Sequence, residues 1–217
     1  MVRTLPKAKP SDGSNGRVSQ IPGPEPAWDV ARLFPDQGCW TESDYLELDT
    51  NQLVELSNGK LEVLAMPTRS HQFIVAFLYA ALAGFVTPRR LGKTLFAPYR
   101  VRLWKGVFRE PDIVFVATAH GRNLGEKFST GADLVMEVVS DDEKSRHRDL
   151  VTKRREYALA RIPEYWIIDP MEQRVTVLKL RGTRYVIHGK YGLDDCARSV
   201  ILKGFEVEVA SIFAIAR

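Results

Sequence analysis

The segments Asp112-Ile-Val-Phe-Val-Ala117 and Asp133-Leu-Val-Met-Glu-Val-Val-Ser140 are apolar at consecutive positions, not at alternating ones. A strand with one wet face alternates, whereas a strand apolar at nearly every position is covered on both faces. The chain must therefore build a sheet with helices packed on it, an α/β or α+β fold with a mixed sheet. Ser70–Val86 offers a covering helix, because Phe73, Ile74, Phe77, Leu78, Leu82 and Phe85 recur at helical spacing and Pro88 follows as a stop.

Other elements fall around this core. Ser57-Asn58-Gly59-Lys60 lies between the apolar runs Leu53–Leu56 and Leu61–Met66, a strong hairpin signal. Thr94–Trp104 reads as one strand, Arg146–Arg161 as a charged surface helix with a narrow stripe of Leu150, Tyr157 and Ala158, and Glu164–Asp169 as a strand ended by Pro170. Gln173–Leu180, Arg184–His188 and Val200–Val209 read as antiparallel strands completing the sheet. Residues 1–27 are rich in Pro, Gly and Ser, and carry four basic residues against two acidic ones. They read as a disordered arm, either a solvated tail or a contact for nucleic acid. Residues 28–217 read as a single domain.

Composition removes several functions. The longest apolar run, Phe73–Val86, has fourteen residues, short of the roughly 20 needed to cross a bilayer. No membrane partner is expected. Cys39 and Cys196 cannot form a disulfide framework, and the setting they fit is a reducing cytoplasm. The four histidines are too scattered for zinc spacing, and neither a glycine-rich phosphate loop nor a G-x-S-x-G turn is present. A net charge of +4 gives only a slight preference for polyanions. Trp104, Trp166 and Tyr165 suit a core better than a base-stacking platform.

The anomalous residues are carboxylates. Glu137 lies inside an otherwise apolar strand, where an unpaired charge is costly. Asp112 opens the other one. Two carboxylates on neighbouring strands suit a hard divalent ion such as Mg²⁺. A strand-end Asp in water and a Glu paired with an arginine would look the same in sequence. Lys153 follows Asp149 by four residues, the spacing of a surface ion pair on a helix; alternatively it reaches the carboxylates and a phosphate. The cluster Lys144, Arg146, Arg148, Lys153, Arg154, Arg155 and Arg161 suits a phosphate backbone, or a solvated face balanced by its neighbouring acids.

Pro111-Asp112, Glu137-Val-Val-Ser140, Asp149-x-x-x-Lys153-x-x-x-Tyr157 and Glu164-Tyr-Trp-Ile-Ile-Asp-Pro170, in that order, resemble the Uma2 family (DUF820) of restriction-endonuclease-like proteins, within the PD-(D/E)XK nuclease superfamily. Glu55-Leu-Ser-Asn-Gly59 and His71 match as well, so the resemblance runs from about Tyr45 to Phe213. It implies a mixed sheet flanked by helices, with an N-terminal hairpin and C-terminal antiparallel strands. It also implies a Mg²⁺- or Mn²⁺-dependent endonuclease acting on DNA. Asp112 and Glu137 would be metal ligands beside the Val138 carbonyl, and Lys153 the catalytic lysine. Glu55, His71 and Asp149 would be accessory. The usual superfamily lysine, two residues after the acid, is here Val139, which leaves open a catalytically inactive DNA-binding or assembly module. A homodimer would suit the cutting of both strands of a duplex, although no interface is legible.

Overall fold

The computed structural model describes residues 34–50 and 52–216. The arm expected over 1–27 lies outside the described residues, as does the beginning of the expected domain.

A short helix, α1 (Glu42–Glu47), starts from Thr41, whose side chain accepts from the Asp44 amide while the Asp44 carboxylate takes the Thr41 N–H. This is a capping box. β1 (Val54–Ser57) and β2 (Lys60–Val63) form the expected hairpin, with Ser57 opposite Lys60. Asn58 and Gly59 both take positive φ, 50° and 78°, as a two-residue turn between right-twisted strands requires. α2 (Arg69–Val86) follows and buries Ile74, Val75, Leu78, Leu82 and Val86. Among the described helices it alone has the length and composition to cross a bilayer, and this stripe is part of the core.

The single strand expected over Thr94–Trp104 is instead two, β3 (Gly92–Phe96) and β4 (Arg100–Trp104), which belong to different sheets. Pro98 stands between them and, lacking an N–H, cannot continue a ladder. β5 (Val107–Arg109) returns antiparallel to β4 after a turn at Gly106. β6 (Ile113–Ala117), β7 (Phe128–Ser129) and β8 (Leu134–Val138) follow.

The stretch expected as a surface helix is helical, but only partly at the surface. α3 (Glu143–His147) leads into a π-helical turn at Arg148–Lys153 and then α4 (Arg154–Leu159). Asp149, Lys153, Tyr157 and Ala158 are buried. The wider π turn is held from the sheet by Tyr165, whose hydroxyl donates to the Asp149 carbonyl at 2.9 Å.

β9 (Glu164–Asp169), β10 (Arg174–Arg181) and β11 (Arg184–Tyr191) complete the central sheet. The last expected strand, Val200–Val209, does not join it. Only β13 (Glu206–Glu208) forms there, paired with β12 (Cys196–Arg198) in a small separate ribbon before α5 (Val209–Ala214). The reason is Glu164. Its buried carboxylate takes the amides of Val200 and Ile201 at 2.7 and 2.8 Å and the Ser199 hydroxyl at 3.0 Å, so these groups turn around an anion instead of entering a ladder.

Among the described residues the central sheet has the order β11-β10-β9-β8-β6-β3, and a second sheet the order β2-β1-β5-β4-β7. In the central sheet only the β8–β9 pair is parallel. One face packs Ile113, Phe115, Leu134, Met136, Trp166 and Ile168 against α2 and α5. The other brings Val135, Val139, Tyr165 and Ile167 against Tyr157, Ala158 and Ile162. The apolar runs in β6 and β8 are thus covered on both faces, as expected.

At Gly59 a Cβ would lie 2.5 Å from the Gly38 carbonyl oxygen, in addition to the cost of positive φ. At Gly182, φ 61°, there is open space. Gly59→Ala is expected to lower the unfolding free energy by about 3 kcal/mol and Gly182→Ala by about 1 kcal/mol, measured by urea denaturation.

Candidate active site

Side chains alternate along β8, so Glu137 shares its face with Val135 and Val139 and points toward the helical segment carrying Lys153 and Tyr157. Tyr157 donates its hydroxyl to Glu137 Oε1 at 2.5 Å, and Lys153 Nζ donates to the same oxygen at 2.9 Å. Asp112, just before β6, accepts the Val138 amide at 2.7 Å through Oδ2. The register that pairs Ile113 with Met136 makes this contact, so Asp112 and Glu137 sit on adjacent strands. His71, in the first turn of α2, places Nε2 3.2 Å from Asp112 Oδ2.

The second sheet contributes Glu55 from β1. It is fully buried, accepts the Glu110 amide at 3.1 Å and lies 3.4 Å from Lys153 Nζ. Asp149 lies 3.4 Å from the same ammonium. The expected i,i+4 pair therefore exists, but as a buried contact: Lys153 is 2% exposed and Asp149 3%. One ammonium, with three N–H donors, faces three carboxylates. Behind Glu55, Arg109 forms a bidentate pair with Glu156 at 2.6 and 2.8 Å.

Asp112, Glu137, Val138, Arg148, Asp149 and Lys153 are among the residues lining a cavity of about 40 Å³. Four acids (Glu110, Asp112, Glu137, Asp149) and three bases (His71, Arg148, Lys153) line it, so carboxyl groups outnumber basic ones. Burial, with Asp112, Asp149 and Glu55 nearby, pushes the Glu137 carboxyl up to about 8 against the pull of Lys153. Asp149 is raised by burial too. Burial alone would raise Glu55, but Lys153 and Arg109 hold it below the usual carboxylate value. Burial would lower Lys153, and the three carboxylates instead hold it well above an ordinary lysine. For His71 the bond to Asp112 outweighs burial and raises its pKa.

Two buried acceptors, Glu55 Oε2 and Asp149 Oδ1, make no hydrogen bond among the described residues, although each faces a cation: Arg109 lies 3.6 Å from Glu55 Oε2, and Lys153 and Arg148 lie 3.4 and 3.7 Å from Asp149 Oδ1. A surplus of buried carboxylate oxygen around a small cavity fits a hard divalent cation. No three His, Cys, Asp or Glu side chains among the described residues form a closed cage, and Mg²⁺ characteristically takes only one or two carboxylates and keeps waters.

All six sequence-selected side chains, Asp112, Glu137, Lys153, Glu55, His71 and Asp149, thus meet at one place. The sequence places Tyr157 only on the apolar stripe and in the family motif, with no role at the site, and leaves Arg148 open between a phosphate contact and a solvated face. A signal was available: Asp149, Lys153 and Tyr157 are spaced i, i+4, i+8, so burying Tyr157 draws the other two inward. Of the basic cluster, Arg146 is committed to Asp169 and Arg148 to Glu62 and Asp149.

Removing the ammonium would leave three carboxylates buried without it. Lys153→Met is expected to lower the unfolding free energy by about 3 kcal/mol near pH 8. The loss is expected to be smaller near pH 5, where carboxylates whose folded pKa lies above the unfolded value retain the stability that rising pH removes. Urea titrations at the two pH values check both.

Residues 42–210 match the Uma2 family, described as "Putative restriction endonuclease". Among solved structures, one titled as a putative nuclease belonging to DUF820 from Anabaena variabilis ATCC 29413 aligns with a TM-score of 0.64 at 19% identity, covering 82% of this chain and 99% of that one. That likeness establishes a shared fold. No curated protein sequence matches the chain. The family match spans most of the chain, including every residue of the carboxylate cluster, and the chain belongs to the Uma2 family.

Proposed function

We propose that the protein is a divalent-metal-dependent endonuclease that hydrolyses phosphodiester bonds of DNA. The observation that supports this reading best is the convergence of Asp112, Glu137 and Lys153 on one small cavity with surplus buried carboxylate oxygen. Asp112 and Glu137, with the Val138 carbonyl beside them, would hold Mg²⁺ or Mn²⁺. When bound, such an ion lowers the pKa of a coordinated water and offsets charge on a phosphate.

The chain's own residues prepare that site. Tyr157 and Lys153 fix one oxygen of Glu137, and the Val138 amide and His71 fix one oxygen of Asp112. Lys153 is held at the cavity wall by Glu137, Glu55 and Asp149, where its charge faces both a cation site and an incoming phosphate. Arg148 brings a second positive charge to the same wall. Position 139, where a lysine is usual in the superfamily, is a buried valine packed in the core beneath the helix, so Lys153 supplies from that helix the charge the strand lacks.

Nicking of supercoiled plasmid is expected with Mg²⁺ or Mn²⁺ and not with EDTA, and Glu137→Ala and Asp112→Ala are each expected to reduce it about 100-fold or more. Independently of activity, Mg²⁺ at about 100 times its Kd should raise the unfolding free energy of the wild type by about 2.7 kcal/mol and that of Glu137→Ala by much less. Reproducible salt-sensitive DNA binding with no cutting would favour the non-cutting module.

A further inference from the structure

Beside the carboxylate cavity lies a larger one of about 570 Å³, within the roughly 300–1,000 Å³ of small-ligand sites. The two cavities share His71, Val138 and Ser140 in their walls, so a chain bound at the first runs directly into the second. The larger cavity has apolar surfaces from Met66, Pro67, Pro170, Met171 and Phe213. Met66 is 68% and Met171 61% exposed on this wall.

The walls are built before anything binds. Asp169 Oδ1 accepts the amides of Met171 and Glu172 at 3.1 and 3.2 Å, which fixes the turn after β9. Arg146 clamps both oxygens of that carboxylate at 3.1 and 2.7 Å and lies 3.6 Å from Met171 Sδ. Gln173 closes the turn in the left-handed region, φ 45°, and is one of the residues lining the cavity. Opposite, the Asp142 carboxylate is pinned by the Ser145 amide at 2.9 Å.

Apart from His71, which it shares with the first cavity, the charged side chains of this cavity are the wrong sign for phosphate, and its other polar groups, among them Thr68, Ser70 and Ser140, are neutral. Asp141 and Asp142 line it and are exposed to solvent, and no lysine or arginine lines it. Carboxylates and a side-chain amide between apolar surfaces suit an uncharged flat ring bearing N–H groups, which is a nucleobase. A base in intact duplex is stacked and paired, and reaches such a pocket only when unstacked. We propose that this cavity receives an unpaired base of the strand whose phosphodiester lies at Asp112 and Glu137. The substrate is then single-stranded or locally unpaired nucleic acid, in preference to intact duplex. The inference rests on the nuclease reading of the neighbouring site.

The test measures binding with Mg²⁺ present, by fluorescence anisotropy, of a labelled oligonucleotide with hydrolysis-resistant phosphorothioate linkages, as a single strand, as a duplex, and as a strand of the same length with abasic positions. Full-length wild type, Met171→Ala and Gln173→Ala are compared at one salt concentration. The wild type is expected to prefer the intact single strand, and each substitution to weaken that binding roughly fivefold, as loss of a stacking or edge contact does. The abasic strand is expected to bind as weakly to wild type as the intact strand does to the variants. Tighter binding of duplex than of single strand, or variants and abasic strand indistinguishable from wild type with the intact strand, would overturn the proposal. Metal-dependent cutting, measured separately with Glu137→Ala as control, decides the nuclease reading. Cutting without base-dependent binding removes the pocket and keeps the nuclease; base-dependent binding without cutting does the reverse.

Discussion

A single buried ammonium, that of Lys153, joins three parts of the fold. It touches Glu137 from the central sheet, Glu55 from the second sheet and Asp149 from its own helical turn. An ammonium and three carboxylates taken from water lose several kcal/mol of hydration each, and mutual attraction returns this only when geometry and hydrogen bonds are good. The chain meets that demand through local choices. The π turn and the Tyr165–Asp149 bond set the helix register, and Tyr157 adds a neutral donor to the oxygen that Lys153 shares. The Arg109–Glu156 pair then ties β5 to α4 behind Glu55.

A purely structural network would be expected to balance its charges, because each uncompensated buried carboxylate costs stability. Here the balance is visibly incomplete. Glu137 is pushed toward neutrality by burial and then by its acidic neighbours, while Lys153 and Arg109 hold Glu55 ionised, although both glutamates touch the same lysine. The difference is geometric. Glu55 has Arg109 behind it, whereas Glu137 has Asp112 and Asp149 near it. A surplus of this kind, confined to one small cavity at the end of two adjacent strands, is what a site for a cation leaves behind, and it is the reason to read the cluster as chemistry more than as architecture.

Much of this was legible in the sequence where one local rule was enough. Consecutive apolar residues marked β6 and β8 as covered strands, Asn58-Gly59 marked the hairpin, and a lone glutamate in Leu134–Val139 marked the site. What was hidden depended on partners distant in sequence. Nothing near Val200 announces that its amide and that of Ile201 will bind Glu164 and so leave the sheet. Nothing near Thr94 says that two strands separated by Pro98 will enter different sheets. The helix expected at the surface turns Asp149 and Lys153 inward, because they repeat at the spacing of the buried Tyr157. Its arginines at 146 and 148 are paired, with Asp169 and with Glu62 and Asp149.

Charge then divides the functional surface in two. Positive groups lie on the wall of the small cavity, at Lys153 and Arg148, where they face the carboxylates. Around the adjoining large cavity the acidic groups are Asp141 and Asp142, His71 stands on the shared wall, and the rest of the wall mixes apolar and neutral polar residues. A polyanion entering this surface is therefore drawn to one part of it by Coulomb attraction and repelled from the other. Only the uncharged part of a nucleotide fits the second region, and that part is reachable only with its phosphate in the first. The two cavities, sharing His71, Val138 and Ser140, thus impose an orientation on the strand: phosphate toward Asp112 and Glu137, base toward Met171 and Gln173. That orientation follows from where the carboxylates lack hydrogen bonds and where they face solvent, and it requires no contact that reads sequence.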